Sequence, residues 1–225
     1  MQELTTKLKT GFLYKNSLTI FFVLLFLGAI CAQAHYGWKE YNEELTEQGQ
    51  PPVAFSGYLS SGHFISATFE NFESEFLQMA LYVIVTVWLR QIGSAESKKL
   101  FHPSAVDREP RDHKHAPWPV KKGGLILKIY NNSLFLCFFF LFVCTWLFHF
   151  YGSWKDHNAE QAIKSLPPVS KGEYLSEPRF WFETFQNWQS EFLSIASIIF
   201  FSIYLRQKGS PESKPVDAPH METGK

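Results

Sequence analysis

Two glutamates occur in the same tetrapeptide, Ser-Glu-Phe-Leu, at residues 74–77 and again at 190–193. Glu75 and Glu191 each open a long apolar run of the kind that crosses a membrane. An acidic side chain costs about 2.5–3.5 kcal/mol at the centre of a bilayer and less near the interface. Such a carboxyl group can be wetted at the interface, can hydrogen-bond between helices, or can bind a cation, a proton or a polar ligand. The residues alone leave these three roles open.

Further polar side chains lie on both sides of each glutamate, mostly at intervals of three and four residues, a spacing that keeps them on one helix face. The rest of each run is apolar, so we expect this polar stripe to face protein or water instead of lipid. We also expect Glu75 and Glu191 to approach each other. The predicted site, which binds a ligand or joins helices, comprises Asn71, Ser74, Glu75, Gln78, Asn187, Ser190, Glu191 and Ser194.

The two glutamates belong to an internal repeat. When the chain is shifted by 116 positions, residues 14–98 align with 130–214 without a gap, and 34 of the 85 pairs are identical. The identical pairs include Trp-Lys, Pro-Pro-Val and Tyr-Leu-Ser segments, whose conservation between halves cannot come from shared apolarity. We therefore predict a first repeat at 1–99, a cytoplasmic linker at 100–129, and a second repeat with a cytoplasmic tail at 130–225.

Four apolar runs suit membrane spans, at about 17–36, 69–89, 133–151 and 185–205. A helix rises about 1.5 Å per residue, so about 20 residues cross a hydrocarbon core of about 30 Å. Two spans per repeat give both repeats the same orientation, which makes the repeat parallel. The predicted fold is an all-α membrane protein with four transmembrane helices from two tandem parallel two-helix repeats. The two long outer connections would form a cap of short helices and loops.

Lysine and arginine are distributed unequally among the connections. Sixteen of the 21 lie in the N-terminal arm, the central connection and the tail. Because basic residues accumulate on the cytoplasmic side, we predict that both termini are cytoplasmic. The N-terminal lysines, the first apolar run and Ala32-Gln33-Ala34 also resemble a cleavable secretory signal. The length of the apolar run favours retention as a span.

Composition and motifs argue against several classes of function. The chain has 21 basic and 21 acidic residues, so it lacks the basic surplus of a nucleic-acid partner. No segment resembles a nucleophile with its base, a phosphate-binding loop or a zinc-ligand cluster. We therefore predict no catalytic residues, and the sequence gives no support for an enzymatic activity.

Cofactor and metal candidates are weak. The three cysteines lie within spans and suit packing, and the His-Lys-His of the linker suits a solvated segment. His35 and His149 lie near span ends, where a helical bundle can hold haem. Their equivalents in the other half are Tyr151 and Gln33, so the pair is not symmetric. We predict no metal and no cofactor.

The segments YLSSGHF, FENFESEFLQM and RQIGSAESK, echoed by NWQSEFL and RQKGSPESK, resemble a family of small bacterial membrane proteins known as a domain of unknown function. The resemblance covers nearly the whole chain and implies a multi-pass protein of the bacterial inner membrane. It implies no activity, substrate or site residue.

Two functions remain in competition. The first is a non-catalytic interaction or envelope-stabilising role, in which the polar stripes join helices. The alternative is a transport module for a small solute, an ion or a proton that uses the paired glutamates. Four spans enclose little space, so transport would call for a homo-oligomer. The lipid bilayer is the expected partner in either case.

Overall fold

The computed structural model describes residues 11–224, most of which are helical and none of which lies in a β-strand. The described chain forms two compact units. The first comprises residues up to Ile65 together with Gly152–Pro168, and the second comprises Ser66–Tyr151 together with the residues from Val169 onward. Each unit thus draws on both halves of the sequence.

The α-helices of the described residues are α1 (Phe12–Lys15), α2 (Ser17–Glu47), α3 (Phe55–Tyr58), α4 (Gly62–Val85), α5 (Trp118–Lys122), α6 (Gly124–Tyr130), α7 (Ser133–Ile163), α8 (Lys171–Tyr174) and α9 (Pro178–Tyr204), with a 3₁₀ turn at Ala105–Asp107. The bounds of α7 and α8 equal those of α2 and α3 shifted by 116 residues, and α9 begins 116 residues after α4.

Two of these helices, α2 and α7, are long and apolar enough to cross a membrane. They contain the first and third predicted spans and continue about three helical turns beyond them. In α2 the added turns are held by the following loop. Trp38 Nε1 donates to the Val53 carbonyl at 2.8 Å, and the Val53 N–H donates to Asn42 Oδ1 at 2.7 Å.

The second and fourth predicted spans also lie in long helices, with changed bounds. α4 and α9 begin seven residues before the predicted spans because their first two turns are polar yet helical. α4 ends at Val85, four residues before the predicted end, and the chain turns at 86–88. Each of these two helices carries several charged residues. Within the described residues, α2 and α7 are apolar enough to be membrane spans, and α4 and α9 are not.

Each compact unit is centred on a buried tyrosine from the Tyr-Leu-Ser segments. In the first unit, Tyr58 is 1% exposed and its ring lies 5.6 Å from that of Tyr41. Gly62 approaches the neighbouring helix so closely that a Cβ there would lie 2.2 Å from the Asp156 nitrogen. In the second unit, Tyr174 and Phe180 are fully buried, with ring centroids 6.1 Å apart.

Candidate functional site

The predicted polar stripe contains one direct contact between α4 and α9. The Gln78 amide, which is 6% exposed, donates to the Glu191 carbonyl at 2.8 Å and to Ser194 Oγ at 2.7 Å. The Ser194 hydroxyl in turn donates to the Glu191 carbonyl at 2.8 Å. The Gln78 side chain of α4 therefore donates two hydrogen bonds to α9.

The paired glutamates also lie together. The carboxyl groups of Glu75 and Glu191 lie close enough to interact electrostatically. Glu75 is exposed and Glu191 is half-buried.

Most of the other stripe residues bond within their own helices. Asn71 Nδ2 donates to the Ala67 carbonyl, and the Ser74 hydroxyl donates to the Asn71 carbonyl, each at 2.8 Å. The same pattern recurs in α9, where Asn187 donates to Glu183 O and Ser190 donates to Asn187 O. The structure thus brings Glu75, Gln78, Glu191 and Ser194 together, while Asn71, Ser74 and Ser190 serve local helix geometry.

A cavity of about 380 Å³ adjoins the stripe between α4 and α9. Its walls are mainly apolar, from residues such as Leu81, Val85 and Ile195, and Gln78 is among its polar lining groups. Tyr82 donates its hydroxyl proton to Glu96 Oε2 at 2.6 Å in the same wall. The cavity therefore combines an apolar surface with a few fixed polar groups, the usual composition of a small-molecule pocket.

The repeated Arg-Gln-x-Gly-Ser-x-Glu-Ser-Lys segments end the helices. Arg90 Nη1 donates to the carbonyls of Thr86, Val87 and Leu89, and Arg206 Nη1 makes the equivalent bonds to Ser202, Ile203 and Leu205. These bonds satisfy carbonyls that a helix end leaves without intrahelical partners.

The C-terminal tail packs against the first of these helix ends. Gly93, with φ +83°, lies so close to the tail that a Cβ would come within 2.6 Å of the His220 carbonyl oxygen. The buried Lys214 ammonium donates to the carbonyls of Pro219, His220 and Glu222. Burial lowers the pKa of Lys214, and the nearby Arg206 lowers it further.

A second polar cluster, which the sequence prediction missed, surrounds His149 of α7. The imidazole is fully buried, and its Nδ1 lies 2.9 Å from Oε2 of the equally buried Glu73. The other oxygen of Glu73 accepts a hydrogen bond from Trp188 Nε1 at 3.1 Å. Glu73 is therefore held between two groups from two different helices.

The opposite nitrogen of His149 faces two further carboxylates. Its Nε2 lies 3.8 Å from Glu70 Oε2 and 3.7 Å from Glu183 Oε2, and no hydrogen-bond partner contacts it. One ligand atom from each of these three residues lies within 4.8 Å of the other two. Histidine nitrogen and carboxylate oxygen are ligand types that divalent metals accept.

The residues of this cluster are not repeated in the other half of the chain, so a comparison of matched positions does not identify them. The residues equivalent to Glu70, Glu73, Glu183 and His149 in the other half are Gln186, Gln189, Ala67 and Gln33. One usable signal was the spacing of Glu70 and Glu73, which are three residues apart and so share a helix face.

The fold and these clusters define an all-helical protein with two helices long and apolar enough to span a membrane. The chain belongs to the family described as Domain of unknown function (DUF6766), whose model matches residues 9–225. No curated protein and no solved structure matches the chain.

Proposed function

We propose that the protein is a non-catalytic, four-span protein of the bacterial inner membrane with an interaction or envelope-stabilising role. Its two tandem repeats enter the bilayer in the same orientation, and both termini are cytoplasmic. α4 and α9 supply the second and fourth spans, and their polar stripes join them. The bilayer is the main partner, and copies of the chain can associate through the remaining lipid-facing surfaces.

The observation that carries this proposal is the bond between Gln78 and Ser194, whose positions differ by 116 residues. They are therefore equivalent residues of the two repeats, as are Glu75 and Glu191. Equivalent residues of two related helices touch each other only where the helices cross their common twofold axis. Both contacts support a parallel duplication in which α4 and α9 meet at that axis.

The exposure of α2 and α7 supports placement in lipid. Only 6% and 11% of their most apolar 18-residue windows are buried within the protein. Phe22 and Leu24 are 60% and 63% exposed. Contiguous apolar surface of this kind needs cover from lipid or from another protein. A buried core helix of a soluble protein would instead have most of this surface covered.

The experiment that tests the role of the stripe replaces both Glu75 and Glu191 by Gln. If the stripes only join helices, the double variant unfolds at a lower temperature in detergent, and neither it nor the wild type moves ions across vesicles. Glu109→Gln, an exposed change in the central connection, is the control. Unchanged stability and assembly in the double variant would contradict the joining role.

A transport function is the second candidate, because Gln78, which bonds to the Glu191 carbonyl, lines a cavity with further polar groups. In that case purified protein in proteoliposomes conducts protons or monovalent cations above the background of empty vesicles. The Glu75→Gln, Glu191→Gln double variant then loses the flux while its folding is retained. That result would indicate that the glutamates serve transport and not only the joining of helices.

A further inference from the structure

The unpartnered nitrogen of His149 is the starting point. The side chain is fully buried, yet its Nε2 makes no hydrogen bond and points at two carboxylates. A buried polar atom without a partner costs about 1–3 kcal/mol. Proteins rarely retain such an atom unless a water, an ion or a chemical role accounts for it.

Glu73 determines which nitrogen carries the proton. Its carboxylate can only accept, so His149 Nδ1, at 2.9 Å, is the donor. In the neutral imidazole this leaves a lone pair on Nε2, directed toward Glu70 and Glu183. A carboxylate that orients a histidine in this way is the usual support of a metal-binding imidazole. Trp188, bonded to the second oxygen of Glu73, fixes the carboxylate in turn.

The charges of the cluster call for a cation. Three carboxylates converge on the His149 imidazole, and Arg179 Nε lies 2.9 Å from Glu183 Oε1. If all three carboxylates are ionised, the cluster and Arg179 together carry a charge of −2. A divalent ion would bring that sum to zero.

We propose that Glu70, His149 and Glu183 form a binding site for one divalent transition-metal ion of the Zn²⁺ or Mn²⁺ type. One nitrogen and two carboxylate oxygens suit a first-row ion better than a purely oxygen-ligated one. Metal–ligand bonds of about 2.0–2.2 Å place ligand atoms about 3.4 Å apart in a tetrahedron, close to the 3.7 and 3.8 Å found here. Water would supply the remaining ligands.

A proton on Nε2 is the competing explanation, and the distances favour the metal. Hydrogen bonds from nitrogen to oxygen are typically 2.7–3.2 Å long. Both Nε2–oxygen distances exceed that range by about half an ångström, and the two are nearly equal. Ligand atoms that share one ion would be spaced in this way, whereas a proton on Nε2 would be directed at one acceptor at a shorter distance.

The test uses the full-length chain in detergent, stripped with a chelator and then titrated with Zn²⁺ or Mn²⁺. We expect one ion per chain by elemental analysis and by calorimetry, with Mg²⁺ and Ca²⁺ binding more weakly. Glu70→Gln and Glu183→Gln should each weaken binding by at least tenfold, and Glu73→Gln by about 10- to 100-fold. Glu109→Gln, an exposed position of the central connection, is the matched control and should leave the affinity unchanged.

Arg179→Gln separates a metal site from a merely structural cluster. Removing the positive charge beside Glu183 should strengthen metal binding by several-fold, an effect that misfolding cannot imitate. The proposal is overturned if the wild type binds no ion, or if folded Glu70→Gln protein binds as tightly as the wild type. It is also overturned if histidine NMR shows His149 titrating with a proton while added metal leaves its signals unmoved. None of these outcomes depends on the number of spans or on the structural role of the stripe.

Discussion

Gln78 and Ser194 occupy equivalent positions of the two halves and bond directly to each other, at 2.7 Å between Nε2 and Oγ. The bond joins α4 to α9 at the point where the two polar stripes meet. The same amide also reaches the Glu191 carbonyl. This one side chain therefore makes two of the polar bonds between the second and fourth helices of the proposed membrane fold.

Replacing Gln78 by Leu should lower the free energy of unfolding by about 1–2 kcal/mol. Single hydrogen bonds between membrane helices contribute about 0.6 kcal/mol on average and at most about 1.7 kcal/mol, and two are lost here. Reversible unfolding in mixed detergent measures the change. Gln186→Leu, an exposed position of α9, is the control. Equal stabilities of the two variants would show that the bonds do not hold the helices.

Cysteines placed at Glu75 and Glu191 should form a disulfide under mild oxidation, because the two carboxyl groups interact and Gln78 bonds to the Glu191 carbonyl, which shows that α4 and α9 lie close together here. The native cysteines at 31, 137 and 144 are first changed to Ser. Glu75→Cys paired with Leu193→Cys is the control, since residue 193 lies on another face of α9. A folded protein whose 75–191 pair stays reduced would rule out the contact.

Gly93 and Gly209 end the two helices with nearly the same backbone, φ +83° and +85°, in different surroundings. Alanine costs about 1–2 kcal/mol at either position because of the left-handed conformation. At Gly93 the new Cβ would also meet the His220 carbonyl oxygen, whereas nothing lies within 4 Å at Gly209.

We therefore expect Gly93→Ala to lose about 1–3 kcal/mol more than Gly209→Ala. Hydrogen exchange at Gly224, whose N–H donates to the Ser94 carbonyl, should also become faster only in Gly93→Ala. Equal effects of the two substitutions would mean that the tail does not pack against Gly93 in solution.

Tyr58 makes the first compact unit sensitive to alkaline pH. Burial raises its pKa to about 12, and the nearby carboxylates of Glu40 and Asp156 add to the shift. Between the ordinary pKa of 10.0 and about 12, the unfolded chain loses the phenol proton while the folded chain keeps it. This contribution to stability is therefore complete below pH 10 and is lost as the pH rises toward 12.

Thermal unfolding at intervals from pH 9 to 12 measures this loss. Tyr58→Phe removes the ionisable group, so its unfolding temperature should fall less steeply across that interval. Tyr36→Phe, at a 69% exposed position, is the control substitution. Identical slopes in wild type and Tyr58→Phe would show that the phenol of Tyr58 is not the titrating group.

The sequence predicted helices at all four apolar runs because their periodicity and length allow few alternatives. The predicted helix ends differ from the observed ends where polar residues remain helical. The Trp38 and Asn42 side chains extend α2 by bonding to Val53, a tertiary contact that no local pattern reports. Two of the four predicted spans meet the apolarity expected of a membrane helix.

The stripe prediction rested on matched residues, so it favoured positions that recur in both halves. It identified Gln78 and Ser194, which bond to each other. It overlooked Glu70, Glu73 and Glu183, whose equivalents are uncharged. A cluster built from α4, α7 and α9 becomes visible only when the three helices are packed together, because no two of its elements are neighbours in sequence.

The central claim, two repeats that cross the membrane in the same direction, is tested most directly by the accessibility of single cysteines. In a chain without native cysteines, Gln50→Cys and Leu166→Cys mark the two outer connections, and Glu109→Cys marks the central connection. A membrane-impermeant maleimide applied to intact bacterial cells should label residues 50 and 166, and should label residue 109 only after lysis. Labelling of 50 and 166 from opposite sides of the membrane, or of 109 together with 50 in intact cells, would contradict the account.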